Sequence, residues 1–164
     1  MKHIKKYENF GSGNYASYDN STGENFWGDI AGGVLPICKK TKRILLNLRS
    51  KYVNEPLTYN LFGGKLDCDE NIIDAVKREF LEECGYEKNI ELIPAFIFKS
   101  SGGFQYHNFI GIIDDEFDPD LNWESAGFKW VNFNELLSIK PKHPGLKLLL
   151  KDEKSLGIIN QLIS

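Results

Sequence analysis

Glu79, Glu82 and Glu83 stand at i, i+3 and i+4 in a stretch of helical periodicity, Glu70 to Cys84. On a helix of 3.6 residues per turn, that spacing brings all three carboxylates to one side. Like charges so placed repel. They also fall in the last turns, near the negative end of the helix dipole, where each costs roughly 0.3–1 kcal/mol. Arg78 and Lys77 offset part of this. A divalent cation would turn the repulsion into binding, and closely spaced carboxylate oxygens are hard ligands suited to Mg²⁺ or Mn²⁺. Ile72, Ile73, Val76 and Phe80 form one apolar face of the same helix. The glutamates overlap the edge of that face, so they are expected to be partly sheltered. The competing reading is a solvated acidic face at the end of a surface helix.

The elements around this helix follow from local signals. Asp67 to Asp69 offer N-cap residues, and Gly85 suits the helix stop. Before the helix, Leu57 to Phe62 reads as a short strand running into a sharp turn at Gly63-Gly64. Ala31 to Cys38 and Arg43 to Leu48 read as a hairpin through the polar turn Lys39 to Lys42. Leu92 to Lys99 and Phe104 to Ile113 form a second hairpin around Ser100-Ser101-Gly102-Gly103. An acidic loop, Asp114 to Asn122, precedes a strand at Phe128 to Val131. Asn132 or Asn134 caps a brief helix through Leu137, and a last helix starts at Leu146 and ends near Gly157. This alternation predicts one α/β domain over residues 1–164, with a mixed sheet between helices. Residues 1–28 are expected to form a loop-rich or flexible arm, since Tyr7 to Gly28 is rich in Gly, Asn, Ser and aromatics without helix or strand period.

Composition narrows the function classes. The 164 residues carry a formal net charge of −3, which argues against a broad nucleic-acid footprint. The cysteines, Cys38, Cys68 and Cys84, are odd in number, form no CxxC pair and lack histidines at zinc spacing. A reduced, cytoplasmic setting is expected. Cys84 sits beside two glutamates, which disfavours its thiolate and a nucleophilic role. Met1 to Phe10 carries lysines without an apolar core, so no signal peptide is expected, and no apolar run spans a bilayer.

The stretch Gly64 to Tyr86, GKLDCDENIIDAVKREFLEECGY, resembles the signature of the Nudix hydrolase family. In that signature a Gly is followed after five residues by Glu. Seven residues further on comes Arg-Glu, then an apolar residue, any residue, Glu-Glu, any residue, Gly and a bulky aliphatic. Gly64, Glu70, Arg78, Glu79, Phe80, Glu82, Glu83 and Gly85 match. Tyr86 departs from the usual aliphatic, and Phe62 replaces a common Pro.

The resemblance implies an α/β/α sandwich and metal-dependent hydrolysis of a phosphoanhydride in a nucleoside diphosphate-linked substrate. It implies that Glu79, Glu82 and Glu83 hold Mg²⁺ or Mn²⁺ with the carbonyl of Gly64, that Arg78 orients Glu79, and that Glu70 braces the loop by a salt bridge. A further acid is expected from outside the signature. Glu124, six residues before Trp130, is the candidate, with Asp114, Asp115 and Glu116 as competitors. Glu82, Glu83 or Glu124 would serve as general base. Lys65 is a candidate for phosphate contact. Phe104, Tyr106, Phe109, Trp27 and Trp123 are available to line a base slot, while His107 and His143 read as structural or exposed. The substrate expected first is a nucleoside triphosphate. A dinucleoside polyphosphate, a nucleotide sugar, capped RNA, or binding of a nucleotide without cleavage are the alternatives. A homodimer is left open, and neither membrane nor stable nucleic-acid binding is expected.

Overall fold

The computed structural model describes residues 29–164. The arm expected at 1–28, with Trp27, lies outside them. Seven strands and four helices follow in the order β1 (Ile30–Cys38), β2 (Ile44–Arg49), β3 (Tyr59–Asn60), β4 (Phe62–Lys65), α1 (Ile72–Cys84), β5 (Glu91–Lys99), β6 (Gln105–Ile113), β7 (Ser125–Val131), α2 (Phe133–Ser138), α3 (Pro144–Leu149) and α4 (Glu153–Ile163). The sheet runs β3-β2-β1-β6-β5, with β4 also on β1 and β7 also on β2. The β1–β6 pair is parallel and the other pairs are antiparallel, so the sheet is mixed.

Strand alternation distributes side chains to two faces. On β1, Val34 and Cys38 point into a core with Val76, Phe80 and Cys84 of α1. Leu35 and Ile37 point the other way, into a core with Leu136, Leu146, Leu149 and Ile159 of α2, α3 and α4. The result is the expected α/β/α layering. Among the described residues no helix is long and apolar enough to cross a membrane.

Several boundaries differ from the sequence expectation. Gly63 and Gly64 are not a turn. They lie in β4, paired with Gly33 and Gly32 of β1. A Cβ on Gly63 would collide with the Gly32 carbonyl oxygen, so the glycine is there for strand contact and not for reversal. The strand expected at Leu57 to Phe62 is accordingly two short strands, with Leu57 exposed. Helix α1 starts later than expected. Its cap is Asn71, whose side chain accepts from the Asp74 amide, and Asp67 to Asp69 stay in the loop. Gly85 ends α1 with φ 71°, and its N–H donates to the Leu81 carbonyl. Asn132, and not Asn134, caps α2 through a capping box with Glu135. The single C-terminal helix expected from Leu146 is two: Asp152 caps α4, and Gly157 falls inside it. Apolar periodicity cannot report a break that a capping aspartate enforces.

His143 caps α3. Its Nδ1 accepts from the Gly145 amide at 2.9 Å, which requires the neutral ring. Burial, with Arg49 and Lys147 adding to it, lowers its pKa from 6.5 to about 3.

Two outcomes follow. Gly63→Ala should lower stability by about 1–3 kcal/mol, since backbone must shift. Gly157→Ala meets no atom within 4 Å and should raise it by about 0.5–1 kcal/mol; thermal melts of both variants check the pair. For His143, the folded-state pKa lies below the unfolded value, so its contribution is full above pH 6.5 and is lost as pH falls toward 3. His143→Asn keeps a capping side chain without this titration, so its melting temperature should fall less than that of wild type between pH 7 and pH 4.

Candidate active site

The last turns of α1 face β4 and the loop before β7. Phe80 and Val76 bury α1 against the sheet, and this carries Glu79 and Glu83 inward with them: their exposures are 0% and 4%. Glu82 points outward, with its side chain 52% exposed. The trio expected on one side is therefore two buried carboxylates and one at the rim. Uncompensated burial of a carboxylate costs several kcal/mol, and specific groups answer for each.

Arg78 answers for Glu79. Its Nη1 donates to Glu79 Oε1 at 2.7 Å and reaches Glu82 Oε2 at 3.4 Å. Its Nε and Nη2 form a fork on Glu70, at 2.8 and 3.0 Å. Nη2 also donates to the Lys65 carbonyl at 3.1 Å. Glu70 in turn accepts from the Asp67 amide at 3.0 Å. The loop between β4 and α1 is thus tied to the helix through one guanidinium. The Glu70 bonds come first in holding Arg78 strongly cationic, ahead of Glu79.

The Gly63 amide answers for Glu83, donating to its Oε2 at 3.1 Å. The Glu83 pKa is nevertheless raised well above the usual carboxylate value. Burial is the main cause, followed by the charges of Glu124 and Glu79, with Gly63 and Arg49 opposing. Glu124 is pushed up to about 7, by burial first and then by Glu79, with Arg49 opposing and Glu82 adding to the rise. Four carboxylates therefore share one field.

The loop before β7 is held on the C-terminus of α1. The Asp120 and Asn122 amides donate to the Cys84 and Glu83 carbonyls at 3.0 and 3.2 Å, satisfying groups that a helix end leaves open. The Asn122 side chain accepts from the Glu124 amide at 3.0 Å, and the Ser50 amide donates to the Glu124 carbonyl at 2.7 Å. These bonds bring Glu124 beside Glu83. The competing acids go elsewhere: Asp115 pairs with Lys40 and Glu116 with Arg43, and Asp114 lies with them across Tyr86.

Glu83 and Glu124 line a cleft with Gly63, Arg49, Tyr106 and Asn47. Among the described residues no three acidic, His or Cys side chains form a ready-made metal cage. The donor chemistry still fits a divalent cation, because the mutual repulsion of Glu79, Glu83 and Glu124 is what such an ion relieves. Gly64 follows Gly63 in β4, beside this cluster.

Of the other candidates, Tyr106 lines the cleft. Lys65 instead reaches Asp29 at 3.4 Å, Phe104 is buried away from the cleft, and Phe109 belongs to the α1 core. Trp123 is 48% exposed beside Glu124. His143 is buried on the cleft wall, so of the two readings given to it the structural one holds. Sequence reading missed Arg49, whose Nε donates to the Asn54 carbonyl at 2.7 Å and whose charge faces Glu83 and Glu124. The signal was a lone arginine ending an apolar strand. Cys38, Cys68 and Cys84 are all free thiols. Burial pushes the Cys84 thiol up, with Glu83 a smaller contributor, against a nucleophilic role.

Residues 29–152 match the NUDIX domain family. Comparison with curated proteins gives no match. Among solved structures, a Nudix hydrolase from M. smegmatis, RenU, superposes with a TM-score of 0.66 at 20% identity, covering 84% of this chain and 88% of that one. An Ap4A hydrolase from C. elegans gives 0.60 at 19% identity, over 74% of this chain and 93% of that one. A MutT NUDIX hydrolase from Burkholderia pseudomallei gives 0.58 at 20%, over 76% and 97%. These likenesses speak to the fold, while the domain match spans most of the chain and includes every acid of the cluster. On that ground the chain belongs to the Nudix hydrolase family.

Proposed function

We propose that this chain is a divalent-cation-dependent pyrophosphohydrolase that cuts a phosphoanhydride in a nucleoside diphosphate-linked substrate, with a nucleoside triphosphate as the first substrate to test. One observation carries the reading. The buried carboxylate of Glu83 is held by the Gly63 amide, shares its field with Glu79 and Glu124, and borders a cleft that also contains Arg49.

Glu79, Glu82, Glu83 and Glu124, with the Gly64 carbonyl, are the groups that would hold Mg²⁺ or Mn²⁺. The cation supplies Lewis-acid polarisation of the phosphoryl oxygens and a lowered pKa for the attacking water. The chain's own residues do the rest. Arg78 fixes the Glu79 carboxylate while Glu70 fixes Arg78, so the acid does not reorganise when substrate arrives. Glu82, Glu83 and Glu124 are the carboxylates that can take the proton from water. Glu83 and Glu124, sheltered and mutually repelling, hold a proton more readily than surface acids. Arg49, on the wall of the same cleft, would supply positive charge for a substrate phosphate.

The test is separation of the nucleotide products, with release of nucleoside monophosphate or inorganic phosphate as the readout, after the purified protein is incubated with Mg²⁺ and each substrate. The panel is the nucleoside triphosphates, Ap4A (for the likeness to an Ap4A hydrolase) and a nucleotide sugar. Glu82→Gln and Glu83→Gln should each lower turnover roughly 10²-fold or more while the circular dichroism spectrum is kept, and EDTA should abolish activity. Wild-type rates in both variants would sink the reading.

A further inference from the structure

The cleft beside the acids is almost shut. It encloses about 20 Å³, room for about one water, whereas sites that hold a small organic ligand measure roughly 300–1,000 Å³. Yet its wall is polar. Asn47, Asn60 and Asn108 line it with Arg49, Glu83 and Glu124. The Asn47 Oδ1 is buried there and meets no donor among the described residues. A buried acceptor left in that state costs free energy, which contact with water or a polar ligand would return. A nucleotide can enter only if some part of the wall moves.

The segment between β2 and β3 has the build of a moving part. Ser50 and Thr58 at its ends are buried, and no residue between them is. Tyr52 and Leu57 are 72% and 53% exposed, so little apolar packing holds the segment down. Val53 alone of residues 51–57 reaches the cleft wall. Two bonds tie the segment to the end of β2: Arg49 Nε donates to the Asn54 carbonyl at 2.7 Å, and the Leu57 amide donates to the Arg49 carbonyl at 3.0 Å. The backbone is strained as it stands. Glu55 and Leu57 have φ of 49° and 56°, the left-handed region that penalises a side chain, and residues 51–57 contain no glycine. Strain of this kind gathers in segments that switch. An anion that draws the Arg49 guanidinium competes with the Asn54 carbonyl for it. The root of the segment also touches the site, since the Ser50 amide donates to the Glu124 carbonyl at 2.7 Å.

We infer that residues 51–57 form a flap that shuts the cleft with Val53 and swings out to admit the phosphate-bearing substrate. This rests on the proposed function for what enters and assigns how it enters. The apparent affinity for substrate is then the intrinsic affinity reduced by the fraction of molecules with the flap open. Val53 plugs the shut form, so trimming it favours entry. Leu57 is exposed and strained in the shut form, so glycine there relaxes that form, loses no packing and opposes entry.

The experiment is hydrogen exchange read by mass spectrometry, with calorimetric titration beside it, on wild type, Val53→Ala and Leu57→Gly. The probes are the α,β-methylene analogues of ATP, GTP, CTP and UTP in Mg²⁺. Peptides spanning 51–57 should exchange about fivefold or more faster with an analogue bound, while β1 and β6 stay unchanged. Val53→Ala should bind the analogue about threefold or more tighter and Leu57→Gly about threefold or more weaker. In the free protein, exchange over 51–57, corrected for intrinsic rates, should rise in Val53→Ala and fall in Leu57→Gly. A merely structural loop would not shift affinity in opposite directions. If Leu57→Gly does not fold, Glu55→Gly takes its place. Slower or unchanged exchange over 51–57 in the bound wild type, or affinity shifts of one sign in both variants, overturns the inference. Hydrolysis assays separate the two readings. Turnover by a protein whose flap does not respond sinks this inference alone. No turnover and no binding of any nucleotide by wild type sinks the proposed function, and exchange in the two free variants then judges the flap, which falls if both leave it unchanged.

Discussion

The burial of the Glu79 and Glu83 carboxylates is the constraint on which the site depends. Both acids are carried inward by the same face of α1 that buries Val76 and Phe80. Hydrophobic packing of the helix therefore drives charge into a poorly solvated place. The fold answers with directed groups: the Arg78–Glu70 fork for Glu79 and the Gly63 amide for Glu83. Each also fixes a geometry. A surface glutamate would be mobile and hydrated, while these two are positioned and incompletely neutralised, which is the condition for cation binding.

Close pairing of β1 with β4 makes the Gly63 contact available. Gly63 approaches Gly33 and the Gly32 carbonyl so tightly that no side chain fits. The same approach directs the Gly63 N–H to Glu83. On the other side, the loop before β7 satisfies the open carbonyls at the end of α1. Termination of α1 and delivery of Glu124 are thus one set of hydrogen bonds. Structural closure and site assembly use the same atoms, so damage to the helix end would reach the chemistry.

Much of this was legible in the residues. Period-2 and period-3.6 patterns located β1, β2, β5, β6, β7 and α1, and Gly85 marked the end of α1. The i, i+3, i+4 spacing located the acid cluster, and in the fold Arg78 bonds both Glu70 and Glu79. The division of the glutamates into two buried and one exposed was not legible. A helical wheel gives angles about an axis, but not how deeply the helix sinks into its neighbours. Gly63-Gly64 misled for a related reason, since a glycine pair permits both a turn and a close strand contact.

The linear chain by itself determined the family, the layering of helices on a mixed sheet and the clustering of acids on α1, because these depend on residue type and local period. Only the tertiary structure decided that Glu124, and not Asp114, Asp115 or Glu116, joins them, and that Arg49 and three asparagines face the same cleft. The physical reason is range. Propensity and periodicity act over a few residues, whereas Glu124 reaches Glu83 through hydrogen bonds between a helix end and a loop some forty residues later (~40). No local pattern encodes such a meeting; it exists once the sheet has closed and the helix has packed.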